Sequence, residues 1–226
     1  MSLDAIEIET GPAPTRCVIV LHGLGDSGHG FAPIAEELDL SALGPVRFVL
    51  PHAPEQPVTV NGGYVMRAWY DILGSELGPG GVKREDEAGL RASQALVDGL
   101  IANERARGVK ANRIVLAGFS QGCAMTFMAG LRHPERLAGL LGMSGYLPMA
   151  SSTAAERSAE NAGVPIFQAH GRADPVIALE RATASRDALL ALGYPVEWHD
   201  YPMPHSVCAP EIADMNRWLL KVLAPM

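Results

Sequence analysis

The sequence predicts an α/β fold, a mostly parallel, doubly wound sheet of about seven strands flanked by helices and without a large cap domain. Three observations lead there. Apolar runs of strand length alternate along the chain with helix-length segments. Most of those runs are continuously apolar rather than alternating, as strands buried on both faces are. The interval between Met143 and Val164, where a cap would have to be inserted, has room for one short helix. No internal repeat or linker interrupts the pattern, so residues 1–226 are expected to form a single domain.

The elements follow in order. Residues 5–9 alternate like an edge strand, and Gly11-Pro12-Ala13-Pro14 ends it. Cys17–Leu21 is an apolar strand leading into the glycine-rich stretch His22–Gly30 and a short helix near Phe31–Leu38. Val46–Leu50 is a further strand. Residues 51–84, rich in Pro and Gly, are expected to form a long loop. Glu85–Arg107 carries apolar residues near Leu90, Leu96, Val97, Leu100 and Ile101, an amphipathic helical spacing. Ile114–Ala117 is a strand, Cys123–Leu131 a buried helix and Leu137–Met143 a strand. A polar helix is expected around Thr153–Ala162, a strand at Val164–Ala169, a helix at Leu179–Leu192 and a strand at Val196–Tyr201. The last helix is expected at Pro210–Leu223, with proline just inside its start.

Composition narrows the function classes. Hydrophobic residues make up 48% and charged residues 19%, enough apolar material for a full core. A net charge of −7 with no basic run argues against a nucleic-acid or anionic-membrane partner. No apolar run reaches membrane-spanning length and residues 1–7 do not read as a signal peptide, so no integral membrane association is expected. Cys17, Cys123 and Cys208 are distant and odd in number, which fits free thiols in a reducing, cytoplasmic setting. The seven histidines lack metal-ligand spacing.

The chemistry centres on Gly118-Phe-Ser120-Gln-Gly122, between an apolar strand and an apolar helix. A Gly-x-Ser-x-Gly in that context is a nucleophile elbow: the sharp turn exposes the serine hydroxyl at the carboxyl edge of the sheet. A serine hydroxyl needs a base, and the base needs an acid to hold its tautomer. The loop after Val164–Ala169 offers Asp174, and the loop after Val196–Tyr201 offers His205, in the chain order Ser, acid, His that this architecture uses. Asp200, Asp187, His199 and His133 lie within elements or on faces that suit structural or exposed roles. In the 51–84 segment, Trp69, Leu73 and Leu77 are the apolar side chains best placed either to line a substrate groove or to pack beneath the loop.

A rival motif stands at the first turn. Gly23-Leu-Gly-Asp-Ser-Gly28 fits the G-x-G-x-x-G fingerprint of a nucleotide-dependent oxidoreductase. Asp26 would put a carboxylate in the pyrophosphate loop, and Val49-Leu-Pro-His52 offers no ribose-binding acid. The same turn is better suited to lend a backbone N–H to an oxyanion hole, with a second from the residue after the nucleophile.

Taken together, the blocks Leu21-His-Gly-Leu-Gly-Asp-Ser-Gly28, Pro51-His-Ala-Pro54, Trp69-Tyr-Asp71, Gly118–Gly122, Ser144-Gly-Tyr-Leu-Pro148, His170-Gly-x-x-Asp174 and Met203-Pro-His205 resemble the carboxylesterase, lysophospholipase and acyl-protein thioesterase family of α/β-hydrolases. The resemblance runs nearly the whole chain. It implies Ser120, Asp174 and His205 as catalytic triad, the backbone N–H groups of Leu24 and Gln121 as oxyanion hole, no cofactor, and a 65–80 loop lining the acyl site. The implied substrate is a small-molecule or lipid acyl ester, or an acylated protein, and the implied assembly a monomer or homodimer. Dienelactone hydrolase is the nearest relative with other chemistry, and a non-catalytic binding protein is the alternative outside enzymes. Two positions depart from the family pattern: Cys123 stands where a second glycine is usual, and Arg67-Ala68 replaces Pro-Ser before Trp69.

Overall fold

A computed structural model describes residues 3–74 and 85–224 of the chain. Among these, seven strands form one sheet. In chain order they are β1 (Ala5–Glu9), β2 (Arg16–Leu21), β3 (Val46–Pro51), β6 (Ile114–Phe119), β7 (Gly139–Met143), β8 (Ile166–Gly171) and β9 (Val196–Tyr201). Their spatial order is β1-β3-β2-β6-β7-β8-β9. Only β1 is antiparallel, pairing Ala5–Glu9 against Pro51–Arg47 at one edge; every other neighbouring pair is parallel. This is the expected fold class, a doubly wound sheet with β9 as the opposite edge.

The continuous apolar runs are explained by burial on both faces. Cys17, Ile19 and Leu21 of β2 face a core layer formed with α2 (Glu87–Ala106), α3 (Gln121–Gly130) and α5 (Leu179–Ala191). Val18 and Val20 face the opposite layer, against α1 (Ala32–Glu37) and α6 (Ala209–Val222). A strand clamped between two helical layers has no polar face to offer, so alternation disappears from its sequence. Helix α3 is buried along its whole length, which is why Gln121–Gly130 shows small and apolar residues all round.

Two stretches differ from the sequence reading. The expected loop after β3 contains a two-stranded hairpin, β4 (Glu55–Val58) and β5 (Tyr64–Arg67). Gly62 and Gly63 turn its tip at φ of +67° and +78°, a conformation open to glycine without strain. The helix expected at Thr153–Ala162 is α4, Ala150–Glu156, beginning three residues earlier and stopping six residues sooner. Asn161 accounts for the early stop. Its side chain accepts from Leu137 N–H (2.9 Å) and donates to the carbonyls of His133 and Glu135 (both 2.8 Å), pinning the segment to the loop before β7.

Cys123 is accommodated by two glycines. A Cβ at Gly145 would lie 2.4 Å from Cys123 Cβ, and one at Gly142 2.7 Å from its Sγ, so the thiol occupies the space those positions leave. Cys17, Cys123 and Cys208 are all unpaired thiols; the first two are buried and Cys208 is half-buried. Among the described residues no helix is long and apolar enough to cross a membrane.

Candidate active site

Four loops leaving the carboxyl ends of β2, β6, β8 and β9 converge at one point of the sheet edge. At its centre is Ser120, between β6 and α3, with φ 56° and ψ −115°. That backbone region is sparsely populated by residues with a Cβ and is held here by close packing on either side. A Cβ at Gly118 would come within 2.2 Å of Gly122 O, and one at Gly122 within 2.0 Å of Leu21 O, so both flanking positions require glycine. Ser120 N–H donates to Met143 O (2.9 Å), which ties the turn to β7.

The structure brings the three expected side chains together. His205 Nε2 lies 2.9 Å from Ser120 Oγ, and His205 Nδ1 lies 2.7 Å from Asp174 Oδ2. Because a carboxylate only accepts, Nδ1 carries the proton and Nε2 is left to accept from the serine hydroxyl. The Asp174 side chain is fully buried, and its second oxygen accepts from the amides of Val176 (2.8 Å) and Ile177 (2.9 Å). Burial raises its pKa, but the hydrogen bonds from His205, Ile177 and Val176 outweigh that and leave the carboxyl below its ordinary value of 3.8. The Phe119 ring packs on His205 at 4.7 Å between centroids and limits its rotation. Chemically, this chain can draw the proton from Ser120 Oγ as the oxygen attacks an electrophilic carbon, and hold the resulting imidazolium against Asp174.

The turn after β2 lies directly against Ser120. A Cβ at Gly23 would sit 3.4 Å from Ser120 Cβ and 3.3 Å from the Phe119 ring. His22 shapes this turn: Nε2 accepts from Ala53 N–H (3.0 Å), so Nδ1–H donates to Gly23 O (2.7 Å). Burial lowers its pKa and keeps the ring in that neutral form. Neither expected oxyanion donor, Leu24 N–H or Gln121 N–H, is taken up by a loop or turn hydrogen bond among the described residues.

Of the expected substrate-binding residues, Trp69 is only 1% exposed and belongs to the core, its indole N–H donating to His22 O (3.0 Å). Leu73 is 36% exposed and lines a pocket with Tyr70, Ile72, Tyr146 and Arg181. Leu77 lies outside the described residues. The unusual Arg67 turns back to donate to Ala53 O (2.9 Å), and Ala68 is buried with its N–H on Pro54 O (3.0 Å).

The rival acids and histidines are engaged elsewhere. Asp200 pairs with Arg172 (2.8 Å), Asp187 with Arg186 (2.7 Å), His133 with Asp98 (2.9 Å), and His199 with Glu197 (3.1 Å). Sequence reasoning missed two residues. Gln121 entered it only through its main-chain amide, whereas its side chain accepts from Trp69 N–H (2.8 Å) and donates to Tyr70 O (2.7 Å). His170, fully buried, donates from Nε2 to Ile177 O (2.8 Å) and lies 3.4 Å from Asp174 Oδ2, buttressing the acid-bearing turn. A histidine four residues before the acid was the available signal for the second; nothing in the sequence signalled the first. Among the described residues, no group of three or more His, Cys, Asp or Glu side chains is arranged to hold a metal ion.

Comparison with known proteins gives a consistent picture. The phospholipase/carboxylesterase family matches residues 4–223. The acyl-protein thioesterase 1 of Neurospora crassa is 42% identical over 214 residues, covering 92% of this chain and 87% of that protein. The acyl-protein thioesterase 1 of Yarrowia lipolytica is 41% identical, covering 95% of each. Among crystal structures, Arabidopsis thaliana SOBER1 superposes with a TM-score of 0.85 at 31% identity, covering 92% of this chain and 99% of that one. Zea mays acyl-protein thioesterase 2 does so with 0.83 at 28% identity, covering 98% and 100%. On the strength of a family match over residues 4–223 and relatives 40% identical along nearly the whole length, the chain belongs to the phospholipase/carboxylesterase family of α/β-hydrolases.

Proposed function

We propose that the protein is a serine hydrolase of acyl esters and thioesters, working through Ser120, His205 and Asp174 with the amides of Leu24 and Gln121 as oxyanion hole. The observation that carries the reading is the unbroken chain Ser120 Oγ–His205 Nε2 and His205 Nδ1–Asp174 Oδ2, at 2.9 and 2.7 Å, on a turn whose strained backbone presents the serine. Ser120 Oγ attacks the acyl carbon while its proton passes to His205 Nε2. The tetrahedral oxyanion is held by the two amides, one beside the nucleophile and one from the turn packed on it. As the intermediate collapses, His205 returns the proton to the leaving alcohol or thiol. Water then attacks the acyl-enzyme with His205 again accepting a proton, and Ser120 is released. No step calls for a cofactor.

Relatives of about 40% identity named acyl-protein thioesterase 1 favour an acyl thioester on a protein as the substrate, with Leu73 against the acyl chain. The free thiols suit a reducing compartment, and the cytoplasmic location is part of this reading. The test is Ser120→Ala. A fluorophosphonate should label the wild-type protein at Ser120, and the variant should take no label while losing nitrophenyl-ester hydrolysis by several orders of magnitude. Retention of more than about a tenth of the activity would remove Ser120 from the nucleophile role. A S-acylated peptide compared with a lysophospholipid in the same assay sets the substrate class.

A further inference from the structure

The oxyanion hole proposed above is assembled from two pieces of chain almost a hundred residues apart, and one residue bridges them. Trp69 reaches the β2 side through its indole N–H, which donates to His22 O (3.0 Å). It reaches the elbow side through its main-chain N–H, which donates to Gln121 Oε1 (2.8 Å). Gln121 closes the connection by donating from Nε2 to Tyr70 O (2.7 Å), and Ser93 Oγ on α2 donates to Trp69 O. All these groups are buried, so each bond lacks a competing water and is costly to leave unmade.

We infer that Trp69 and the side chain of Gln121 are positioning residues that set the separation and aim of the two oxyanion donors, and that Trp69 takes no part in lining the acyl groove. His22 O and Gly23 O belong to the peptide units that lead into Leu24 N–H, and Gln121 carries the other donor itself. A shift of Trp69 therefore changes the geometry of the hole directly. The inference rests on the ester-hydrolase reading, and it predicts a particular defect: weaker binding of the tetrahedral state with the ground state little changed.

The test uses the full chain with Trp69→Phe, which deletes the indole N–H, and Gln121→Met, which keeps the oxyanion amide and deletes both side-chain hydrogen bonds. Turnover and KM are measured on short and long nitrophenyl esters, together with affinity for an alkyl boronic acid. The boron accepts an electron pair from Ser120 Oγ while His205 takes its proton, giving a tetrahedral anion in the hole. The expected result is a fall in kcat of about tenfold or more at every acyl length, KM within about threefold, and boronate affinity weakened in step with kcat. Retention of kcat and boronate affinity within about twofold in both variants would overturn the inference. So would a rise in KM that grows with acyl length at constant kcat, which would return Trp69 to the groove. If Trp69→Phe fails to fold, Gln121→Met decides alone. Ser120→Ala in the same series separates the two claims: full activity there removes the hydrolase reading, whereas its loss beside intact positioning variants removes only the role given to Trp69 and Gln121.

Discussion

Asp174→Asn is the sharpest probe of the proposed mechanism, because the structure dictates how the asparagine must sit. Asp174 Oδ1 accepts two main-chain N–H groups, from Val176 and Ile177. An amide nitrogen cannot face two donors, so the asparagine oxygen takes that position and its NH2 group turns to His205. His205 Nδ1, 2.7 Å away in the wild type, must then accept, which moves the ring proton to Nε2. An Nε2 that carries a proton cannot draw one from Ser120, although the turn and its hydrogen bonds stay in place. The loss in kcat should be on the order of 10⁴, equivalent to about 5 kcal/mol in the barrier. Asp200→Asn is the matched control: its partner Arg172 is solvent-exposed, and such pairs are worth about 0–1 kcal/mol, so activity should stay within a few-fold. Both variants are measured by nitrophenyl-ester turnover, with circular dichroism as the check on folding. An Asp174→Asn enzyme within about tenfold of wild type, or a larger loss in Asp200→Asn, would refute this account of how the base is oriented.

Two further outcomes are expected. Leu73→Ala should leave acetate hydrolysis unchanged and lower kcat/KM increasingly with acyl length, by up to roughly fourfold for each methylene no longer covered; parallel curves would place the acyl chain elsewhere. Glu211 is fully buried, and burial, reinforced by the nearby charge of Asp214 and only partly offset by the Cys208 N–H, pushes its pKa from 4.5 to about 8. A raised carboxyl pKa means that the folded state keeps a proton that the unfolded chain releases, so this group costs nothing below pH 4.5 and destabilises the fold increasingly as pH rises toward 8. Glu211→Gln should therefore raise Tm clearly at pH 8.5 and little at pH 5, and equal gains at both would show that the carboxyl is ionised in the fold.

The sheet was legible because double-sided burial writes itself into sequence as unbroken apolar runs, and Ile114–Ala117 or Val164–Ala169 admit few other readings. The convergence of Ser120, Asp174 and His205 was legible for a related reason: each is tied to the end of a strand, so locating the strands located the loops. What escaped notice depends on side-chain bonds between distant positions. The short span of α4 is set by Asn161 reaching back to the loop before β7, and the burial of Trp69 by bonds to His22 and Gln121. Neither leaves a periodicity. The β4–β5 hairpin was hidden differently: with Pro57 inside β4 and glycines at the tip, its composition resembles that of an irregular loop. Cys123, the departure from the family pattern, faces Gly142 and Gly145 some twenty residues on, a pairing that no local pattern in the sequence announces.

The placing of His205 has a consequence for how this molecule fails. Ser120 sits at the end of β6, a strand with neighbours on both sides, whereas His205 follows β9, which is hydrogen-bonded along one side only among the described residues. The two are 85 positions apart in sequence. Edge strands open at lower free energy than central ones, so the sub-global opening that frees β9 and its loop should take His205 away from Ser120 while the elbow is still intact. Under the proposed mechanism, inactivation and unfolding are then separate events, with the first set by the edge and the second by the centre of the sheet. On that mechanism, a molecule with a frayed margin should keep a formed but inert serine and recover by re-docking one strand.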